Sequence, residues 1–365
     1  MSIYISSYTS KIFLEILCIL PLSRKKHRGL NSNKNMQLFS KISQKLFNIK
    51  TKKLFFILIG LIVLNTLFII SYYFFVQKKE RLWIAQGNGT FQSCSTDGNC
   101  INYGSKKYPI TSMAVYNNKL WIGLFDGSIQ SCDANGNCID YGNKGGYIHS
   151  MAVYNNKLWI GSDILQSCDV NGSCISHGHK KYNIVSMAIY NNKLFIGEDE
   201  QGPAGMQSNA LQLCDINGNC IDYGNFDSNL GGIISMVVFD NKLWIAQSDC
   251  TLHSCDANGN CINHGRKCNS IYSMAVYDNK LWTGGNFVFQ SCNKNSNCTK
   301  YNYKGNCINS DRTTLKDNQI IHSMAVYNNK LWIGLFGGSL QSCDANGNCI
   351  DHGNKGNTID LMAVW

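Results

Sequence analysis

Apolar and polar residues alternate in short runs along most of the chain, and small polar residues separate the runs. In one stretch "SMAVY" and "KLWIG" flank Asn-Asn, and "IQSCD" and "NCIDY" then flank a turn that contains Asn-Gly. Runs of this length and composition predict β-strands, and the Asn-Asn and Asn-Gly pairs predict tight turns. Each such stretch therefore predicts two consecutive β-hairpins.

This four-strand unit recurs along the chain. Four strands in a unit of about 40 residues are typical of one blade of a β-propeller. We therefore predict an all-β fold, a seven-bladed β-propeller of four-stranded antiparallel blades. At intervals of 36 to 50 residues, the "SMAVY" segment or its equivalent begins at Ser112, Ser150, Ser186, Ser235, Ser273, Ser323 and Leu361.

The two ends of the repeat region complement each other. The first copy, Arg81 to Gly104, lacks the leading "SMAVY" strand, and the chain finishes on "LMAVW", residues 361–365, with no hairpin after it. A propeller closed by that last strand leaves no free inner edge in this blade, whereas a solenoid would need capping repeats. The ends therefore predict a ring that the strand 361–365 closes.

Two positions of the unit predict the core. Alternating apolar positions packed between blades are favoured over a soft-metal site, because Met and aromatic side chains fill irregular gaps. One position holds Met113, Met151, Met187, Met236, Met274, Met324 and Met362, and the other holds Trp83, Trp121, Trp159, Phe195, Trp244, Trp282 and Trp332.

One run, residues 54–76, is apolar on every face. Its 23 residues carry no formal charge, and as a helix they would extend about 34 Å, enough to cross a hydrocarbon core of about 30 Å. A buried core helix is disfavoured because the run has no polar face. We predict one N-terminal transmembrane helix that acts as an uncleaved signal anchor.

Charge is distributed unevenly around this run. Residues 1–76 carry 11 Lys/Arg and one Glu, whereas residues 77–365 carry 22 Lys/Arg and 22 Asp/Glu. The balanced second part argues against a nucleic-acid partner. The positive-inside rule predicts a basic cytoplasmic segment at 1–53 and an extracytoplasmic, periplasmic or extracellular propeller at 77–365. Met36 opens a simpler basic and then apolar leader and is an alternative start.

The Leu-Trp-Ile-Gly strand and the glycine-containing hairpin that follows it resemble repeats of the two-component-regulator propeller type, and more loosely quinoprotein-like propellers. Members of the first family commonly form extracytoplasmic sensor modules joined to signalling domains. The resemblance therefore implies a propeller with a recognition role. The 53 residues before the apolar run are too few for a kinase, and the repeated cysteine pair departs from the family pattern.

Cysteine pairs recur with the unit, six positions apart around the Asn-Gly turn. Residues that flank a five-residue hairpin loop face each other within reach of a disulfide, and an exported domain lies in an oxidising compartment. The predicted pairs are Cys94–Cys100, Cys132–Cys138, Cys168–Cys174, Cys214–Cys220, Cys255–Cys261 and Cys343–Cys349.

Two blades carry additional cysteines. Cys250 and Cys268 lie nearly symmetrically about the same hairpin turn, so we predict that they form a second disulfide there. Cys292 has two candidate partners, Cys298 at the usual spacing and Cys307 in "KGNCIN", whose sequence matches "NGNCID" better. The motif favours Cys292–Cys307. With 17 cysteines after the apolar run, at least one lacks a partner within the chain.

Metal sites are the alternative explanation for the repeated motif. Structural zinc usually takes four ligands, and one C-x5-C in each separate blade cannot converge on one ion. The Asp-x-Asn-Gly-Asn turn is similar to the start of a calcium loop but lacks the distal Glu of such a loop. We expect no metal and no cofactor.

Loop variation predicts the binding face. The Asn-Asn and Asn-Gly turns emerge on one face and are nearly uniform, whereas the other connections emerge on the opposite face and vary, as at 198–210, 224–232 and 309–321. Varied loops on a rigid scaffold are where binding usually resides, although drift in unconstrained loops is the alternative.

Basic side chains recur in these varied loops, next to several tyrosines. They would suit an acidic glycan or an acidic protein, and solvated loop charges are the alternative. The binding-face candidates are Lys106, Lys107, Lys144, Lys180, Lys181, Lys267 and Lys355, together with His149 and His322, which share a position just before the inner strand.

Catalysis has little support in the sequence. Only three Glu follow the apolar run, and no distinctive carboxylate pair or Ser/His/Asp constellation stands out. His177, His264 and His352 replace Tyr at one repeat position, which indicates a structural role. We expect a membrane-anchored module for protein binding or adhesion rather than an enzyme. The alternatives are a lectin for acidic glycans and, less favoured, an exported hydrolase.

Overall fold

A computed structural model describes residues 60–61, 63–68, 80–199, 211–223, 232–267, 270–286, 288–301 and 320–365. Its described residues form seven antiparallel sheets of four strands each. The inner strands carry the repeated "SMAVY" segment or its equivalent. They are β4 (Ile110–Tyr116), β8 (Ser150–Tyr154), β12 (Asn183–Tyr190), β16 (Ile233–Phe239), β20 (Ile271–Tyr277), β24 (Ile321–Tyr327) and β28 (Ile359–Val364).

The second and third strands of each sheet are its most buried parts. The second strands are β1 (Leu82–Gln86), β5 (Lys119–Leu124), β9 (Lys157–Gly161), β13 (Lys193–Asp199), β17 (Lys242–Gln247), β21 (Lys280–Gly285) and β25 (Lys330–Leu335). The third strands are β2 (Thr90–Cys94), β6 (Ser128–Cys132), β10 (Ile164–Cys168), β14 (Leu211–Cys214), β18 (Thr251–Cys255), β22 (Val288–Cys292) and β26 (Ser339–Cys343).

The outer strands form the rim of the molecule. They are β3 (Cys100–Ser105), β7 (Cys138–Asn143), β11 (Cys174–His179), β15 (Cys220–Asp222), β19 (Cys261–Arg266), β23 (Cys298–Lys300) and β27 (Cys349–Asn354). We number the blades along the chain. Blade 1 is β28-β1-β2-β3, blade 2 is β4 to β7, and so on to blade 7, β24 to β27.

Successive inner strands pack against one another, and the ring closes where β28 of blade 1 lies beside β24 and β4. Within blade 1, β28 pairs with β1 in antiparallel register, with Trp83 opposite Ala363. Two backbone hydrogen bonds join Arg81 and Trp365 at the end of this ladder, at 2.6 and 3.0 Å. The predicted seven-bladed propeller and its closure by the last strand are confirmed.

The core lies between adjacent sheets, and it explains the glycine of "KLWIG". A Cβ on Gly123 would lie 2.6 Å from Cγ2 of Ile148, at the start of the next blade. Gly161 and Gly284 meet Met187 and Met324 of the next blade in the same way. The methionine position is therefore interblade packing in these blades, and all six tryptophans of the second strands are fully buried.

Polar contacts between neighbouring blades explain two more repeat positions. The hydroxyl of Tyr116 donates to the carbonyl of Asn156 at 2.7 Å, and Tyr190 donates to Asn241 at 2.7 Å. That asparagine belongs to the first turn of the next blade, where both turn residues have positive φ. Asn tolerates this conformation better than most residues do, so a two-residue turn selects it.

The outer hairpins of blades 2 to 7 are organised by the first residue of the turn. Oδ1 of Asp133 accepts the backbone N–H groups of Asn135 and Asn137, both at 2.9 Å. Hydrogen bonds from Asn137 also lower the pKa of Asp133. The carboxylate therefore serves the turn itself, as the expected plain Asn-Gly turn requires.

Seven disulfides close these hairpins, and all six predicted pairs are among them. In blade 6 the prediction of Cys292–Cys307 was wrong, because Cys292 is bonded to Cys298. Asn293 takes the role of the turn aspartate, and Ser296 takes the positive φ of the turn glycine. The turn keeps its length and hydrogen bonds without the motif, and length decides which cysteines face each other.

Other predictions fall outside the described residues. Cys250 is buried, but Cys268 and Cys307 lie outside them, so Cys250–Cys268 stays a prediction. Of the predicted span at 54–76, only 60–61 and 63–68 are described, and they are helical and exposed. Within the described part of the chain, no helix is long and apolar enough to cross a membrane.

Candidate functional site

Strand direction assigns the four connections of each blade to two faces. Because the strands are antiparallel, the Asn-Asn turn and the disulfide-closed turn emerge at one end of the sheet, and the remaining two connections emerge at the other. We call the latter end the variable face. Of the varied segments predicted at 198–210, 224–232 and 309–321, residues 200–210, 224–231 and 309–319 lie outside the described residues.

Five of the seven candidate lysines share one repeat position, directly after or close to the end of an outer strand, and all five are half-buried. Nζ of Lys144 donates to the carbonyl of Gly172 in the next blade at 3.1 Å, and Nζ of Lys267 donates to Ser296 in the next blade at 3.4 Å. The ammonium of Lys106 lies 4.7 Å from the ring centre of Phe91 and 3.0 Å from Sγ of Cys138.

Burial lowers the pKa of Lys106, Lys180 and Lys355. The Lys355 ammonium donates to the carbonyl of His352 at 2.7 Å. These side chains therefore bind protein groups at the outer part of the ring, where they link or brace blades. Sequence reasoning placed them correctly in the connections of the variable face, but it did not foresee that they turn back onto the protein.

Lys107 and Lys181 are exposed. Nζ of Lys107 lies 5.1 Å from the ring centre of Tyr108, and Nζ of Lys181 lies 4.9 Å from that of Tyr182. Of the lysine candidates, these two have the accessibility that a charged ligand requires.

One repeat position at the inner end of the variable face differs from blade to blade. It immediately precedes the repeated serine of the inner strand, so its side chains begin the strands that surround the central channel. We call this set the mouth ring. In blades 1 to 7 it is Asp360, Thr111, His149, Val185, Ile234, Tyr272 and His322.

The mouth ring has two unequal arcs. Blades 4 and 5 contribute the apolar residues Val185 and Ile234, whereas the five remaining blades contribute polar or aromatic side chains. In the polar arc, Nδ1 of His322 lies 3.3 Å from Oδ1 of Asp360, an ion pair whenever the histidine is protonated. The predicted position of His149 and His322 just before the inner strand places both in this arc.

The glycine at position 87 leaves space for the carboxylate of Asp360. The residue that follows the second strand is Phe336 in blade 7, Gly87 in blade 1 and Phe125 in blade 2. A Cβ on Gly87 would lie 2.9 Å from Oδ2 of Asp360. The carboxylate therefore occupies space that a side chain at position 87 would crowd, with a phenylalanine in the equivalent position of each neighbouring blade.

Aromatic rings flank this carboxylate on both sides. On one side, the His322 ring lies 5.5 Å from Tyr272 and 5.8 Å from Phe336 between ring centres. Tyr272 and Phe336 are 37% and 38% exposed. Aromatic rings that remain accessible beside a polar group are typical of recognition surfaces.

The second aromatic group lies across blades 2 and 3. The Tyr147 ring centre is 4.8 Å from that of Phe125 and 4.0 Å from that of His149. Phe125 is 56% exposed. Burial, and after it the charge of Asp360, raise the pKa of Tyr147. Burial lowers the pKa of His149 to about 4, so its imidazole is neutral at pH 7.

Glu198, in blade 4, is a buried carboxyl that sequence reasoning noted only as one of three glutamates. It is 0% exposed, and burial raises its pKa to about 7. Oε2 accepts the backbone N–H of Tyr182 at 3.2 Å, whereas Oε1 has no hydrogen-bond partner. The sequence contained a signal for this carboxyl, because Glu198 shares its repeat position with Gln86 and Gln247 of blades 1 and 5.

The histidines that replace Tyr at the outer-strand position are structural, as predicted. Nε2 of His177 lies 2.8 Å from Oγ of Ser167, and its ring stacks on Trp159 with centres 4.8 Å apart. His264 and His352 repeat both contacts in their own blades. Among the described residues there is no group of three side chains suited to hold a metal ion.

No protein-family model matches the sequence, and no curated protein matches it. Solved structures do share the fold. Virginiamycin B lyase from Staphylococcus aureus superposes with a TM-score of 0.56 at 11% identity, over 75% of this chain and 87% of the lyase chain. The computationally designed Ika8 protein gives 0.56 at 14% identity, over 78% and 92%. The WD40 propeller domain of Doa1 gives 0.55 at 13% identity, over 70% and 86%. At these identities the likeness concerns the fold alone.

Proposed function

We propose that the protein is a membrane-anchored recognition module whose propeller lies outside the cytoplasm and binds a polypeptide partner at the mouth ring. The observation that carries this proposal is the variation of the ring within an otherwise uniform repeat. The glycine and tyrosine positions of the repeat are kept because they contact the next blade, and at the lysine position Lys144 and Lys267 do so too. The mouth ring has no such common contact, and side-chain variation there is what an asymmetric ligand requires.

A polypeptide partner suits the mouth better than an acidic glycan does. Exposed aromatic rings together with a few polar groups are the usual composition of a protein-binding centre. The positive charges that would favour an acidic sugar are mostly engaged within the protein, as in Lys144 and Lys267. Lys107 and Lys181 are exposed and could bind an acidic glycan. Neutralising both should abolish ligand binding only if the ligand is such a glycan.

A binding role rather than catalysis is also a proposal. Structural neighbours include a lyase and a WD40 domain, so the fold by itself favours neither role. The His322–Asp360 pair has aromatic neighbours, and its described contacts include no serine, threonine or cysteine side chain. Such surroundings favour holding a ligand over reacting with it.

Membrane anchoring rests on the apolar run at 54–76 and on the charge that precedes it. Protease added to intact cells should remove residues 77–365 and leave an N-terminal fragment in the membrane. Full protection of the propeller until the cells are opened would contradict the proposed orientation.

The binding site is tested by site-specific photo-crosslinking in the cells that produce the protein. A benzophenone amino acid replaces Phe336 or Phe125 at the mouth, and as a control it replaces Ala134, which is exposed in a turn on the opposite face. The proposal expects a discrete adduct from both mouth positions and none from position 134. Adducts from position 134 alone, or none from either mouth position, would overturn it.

A further inference from the structure

We infer that the mouth ring recognises a cationic side chain, with Asp360 as the charge partner and the two flanking aromatic groups as its walls. This inference rests on the proposed function and names the chemistry of the partner, an exposed arginine or lysine of a polypeptide. Three independent features of the described residues carry it.

The first feature is an accessible carboxylate. Asp360 is about one-third exposed, and its described ion-pair partner is His322, which carries charge only when protonated. The glycine at position 87 leaves Oδ2 uncovered where blades 2 and 7 place phenylalanine. An arginine at this point would pair with a carboxylate that can accept two hydrogen bonds.

The second feature is the arrangement of π faces around this carboxylate. On one side, Phe336 and Tyr272 both lie against His322 of the mouth ring. On the other side, Phe125 packs directly on Tyr147, which in turn lies against His149 of the ring. A cation within about 6 Å of such a ring is attracted to its face by about 0.5–2 kcal/mol. Guanidinium groups also stack on aromatic rings while they pair with a carboxylate.

The third feature is the absence of a competing lysine or arginine in the mouth ring itself, whose seven members are fixed by the sequence. Of the lysines that follow the outer strands, Lys144 and Lys267 donate to the next blade, and Lys355 donates within its own blade. His149 is neutral at pH 7 because burial lowers its pKa to about 4. The negative charge of Asp360 is therefore not offset by a fixed positive charge in the ring.

The test uses small probes that differ only in charge. The full chain in lipid nanodiscs is titrated with N-acetyl-arginine amide and, as the neutral isostere, N-acetyl-citrulline amide, and binding is followed by saturation-transfer NMR. We expect the arginine probe to bind at least about tenfold more tightly than the citrulline probe, since only the former can form a charge-assisted pair. Equal binding of the two probes, or no binding of either, would overturn the inference.

Variants assign the effect to the mouth. Asp360→Asn and Gly87→Ala should each weaken binding of the arginine probe by about tenfold, the first by removing the charge and the second by crowding Oδ2. The matched control is Asp278→Asn, an exposed turn residue on the opposite face where four other blades carry Asn. An effect of Asp278→Asn as large as that of Asp360→Asn would contradict the assignment.

The two proposals fail in different ways. If the mouth positions form adducts in cells but the arginine and citrulline probes bind equally, the proposed binding surface stands and the inference of a cationic ligand fails. Loss of the mouth adducts would remove the proposed binding surface itself, whatever the small probes do.

Discussion

Lys144 illustrates how a single residue of the repeat acts in the neighbouring blade. It leaves the end of an outer strand, and its ammonium reaches the turn of the next blade at Gly172, while Tyr141 packs against the same turn glycine. Its aliphatic stem and its charge both serve this contact. The repeat therefore keeps lysine there for stability, and ligand binding need not be involved.

Lys144→Met keeps the stem and removes the hydrogen bond to the Gly172 carbonyl. Because that acceptor then loses its partner in a half-buried site, we expect the free energy of unfolding to fall by about 1 kcal/mol. Urea denaturation measures it. Lys107→Met is the matched control, because Lys107 is exposed, and it should leave stability unchanged. Equal losses in both variants would contradict the interblade role.

Glu198 makes stability depend on pH. Its folded-state pKa of about 7 lies above its ordinary value of 4.5, so the folded state favours the neutral acid. The stability that this group contributes is present below pH 4.5 and is lost as the pH rises through about 7. Glu198→Gln should therefore raise the free energy of unfolding at pH 8, on the order of 2 kcal/mol, and change it little at pH 4.5.

Urea denaturation at the two pH values tests this prediction, with Asp278→Asn as the control for loss of one negative charge. A gain from Glu198→Gln that is the same at pH 4.5 and pH 8 would show that titration of this carboxyl is not its source. Gln is well suited to the site, since Gln86 and Gln247 occupy the same repeat position and are buried.

Some features of single residues could be predicted from the sequence, and others could not. Repeat alignment was enough to assign the histidines at 177, 264 and 352 to structure and those at 149 and 322 to the mouth. The direction of Lys144 could not be predicted, because it depends on how far the outer strand twists toward the next blade. The opening at Gly87 was also missed, although comparison with Phe125 and Phe336 at the same position would have revealed it.

At the scale of single elements, the outer hairpin is the least supported part of each blade, because its last strand has a free edge. The disulfide holds its turn in position for contacts from the preceding blade, as Cys168–Cys174 does beside Gly172. Replacing both cysteines by serine should lower the free energy of unfolding by about 2 kcal/mol.

Hydrogen exchange at residues 169–173 provides the local measurement for this variant. Faster exchange there, together with lower global stability, is the expected result. An unchanged urea midpoint would contradict the role of the disulfide as a clip, and the wild-type protein under reducing conditions serves as the comparison.

The hairpin of blade 6 shows how the sequence misled at the element scale. "KGNCIN" has the better motif, but blade 6 forms a turn of the usual five residues with Asn at its start and a residue of positive φ near its end. These two residues are Asn293 and Ser296. Peptide mapping without reduction should recover Cys292–Cys298 and the still untested Cys250–Cys268, and recovery of Cys292–Cys307 would contradict the structure.

At the scale of the whole molecule, ring closure depends on the last strand. Removing residues 361–365 would leave Trp83 and the rest of β1 without their inner neighbour. We expect this truncation, made in the isolated propeller of residues 80–365, to abolish cooperative unfolding. The truncation would expose the edge of β1 and the apolar core beside it.

A circular permutant is the matched control for this truncation. Trp365 is joined to Arg81 through Asn-Asn, the turn of blades 2, 3, 4 and 7, and the new ends lie between Asn117 and Asn118. This chain keeps every strand pair, so its free energy of unfolding should stay within about 1 kcal/mol of the original. Failure of the permutant to fold would show that closure by the terminal strand is not what holds the ring together.

The fold as a whole was the most predictable level, because seven copies of the unit and the complementary ends determine one architecture. The site was less predictable, because a mouth ring arises only when residues spaced about 40 positions apart meet around one axis. His149 and His322 were identified from their shared position. Asp360 was not, since its role depends on the glycine of the adjacent connection.

The most direct measurement of the central claim combines the cellular partner with the charged probe. Photo-crosslinking from position 336 is repeated in the presence of N-acetyl-arginine amide or N-acetyl-citrulline amide at equal concentration. We expect that the arginine probe suppresses the adduct and the citrulline probe does not, and that Asp360→Asn lowers the adduct without either probe. An adduct of equal yield under all these conditions would contradict recognition of a cationic side chain at the mouth ring.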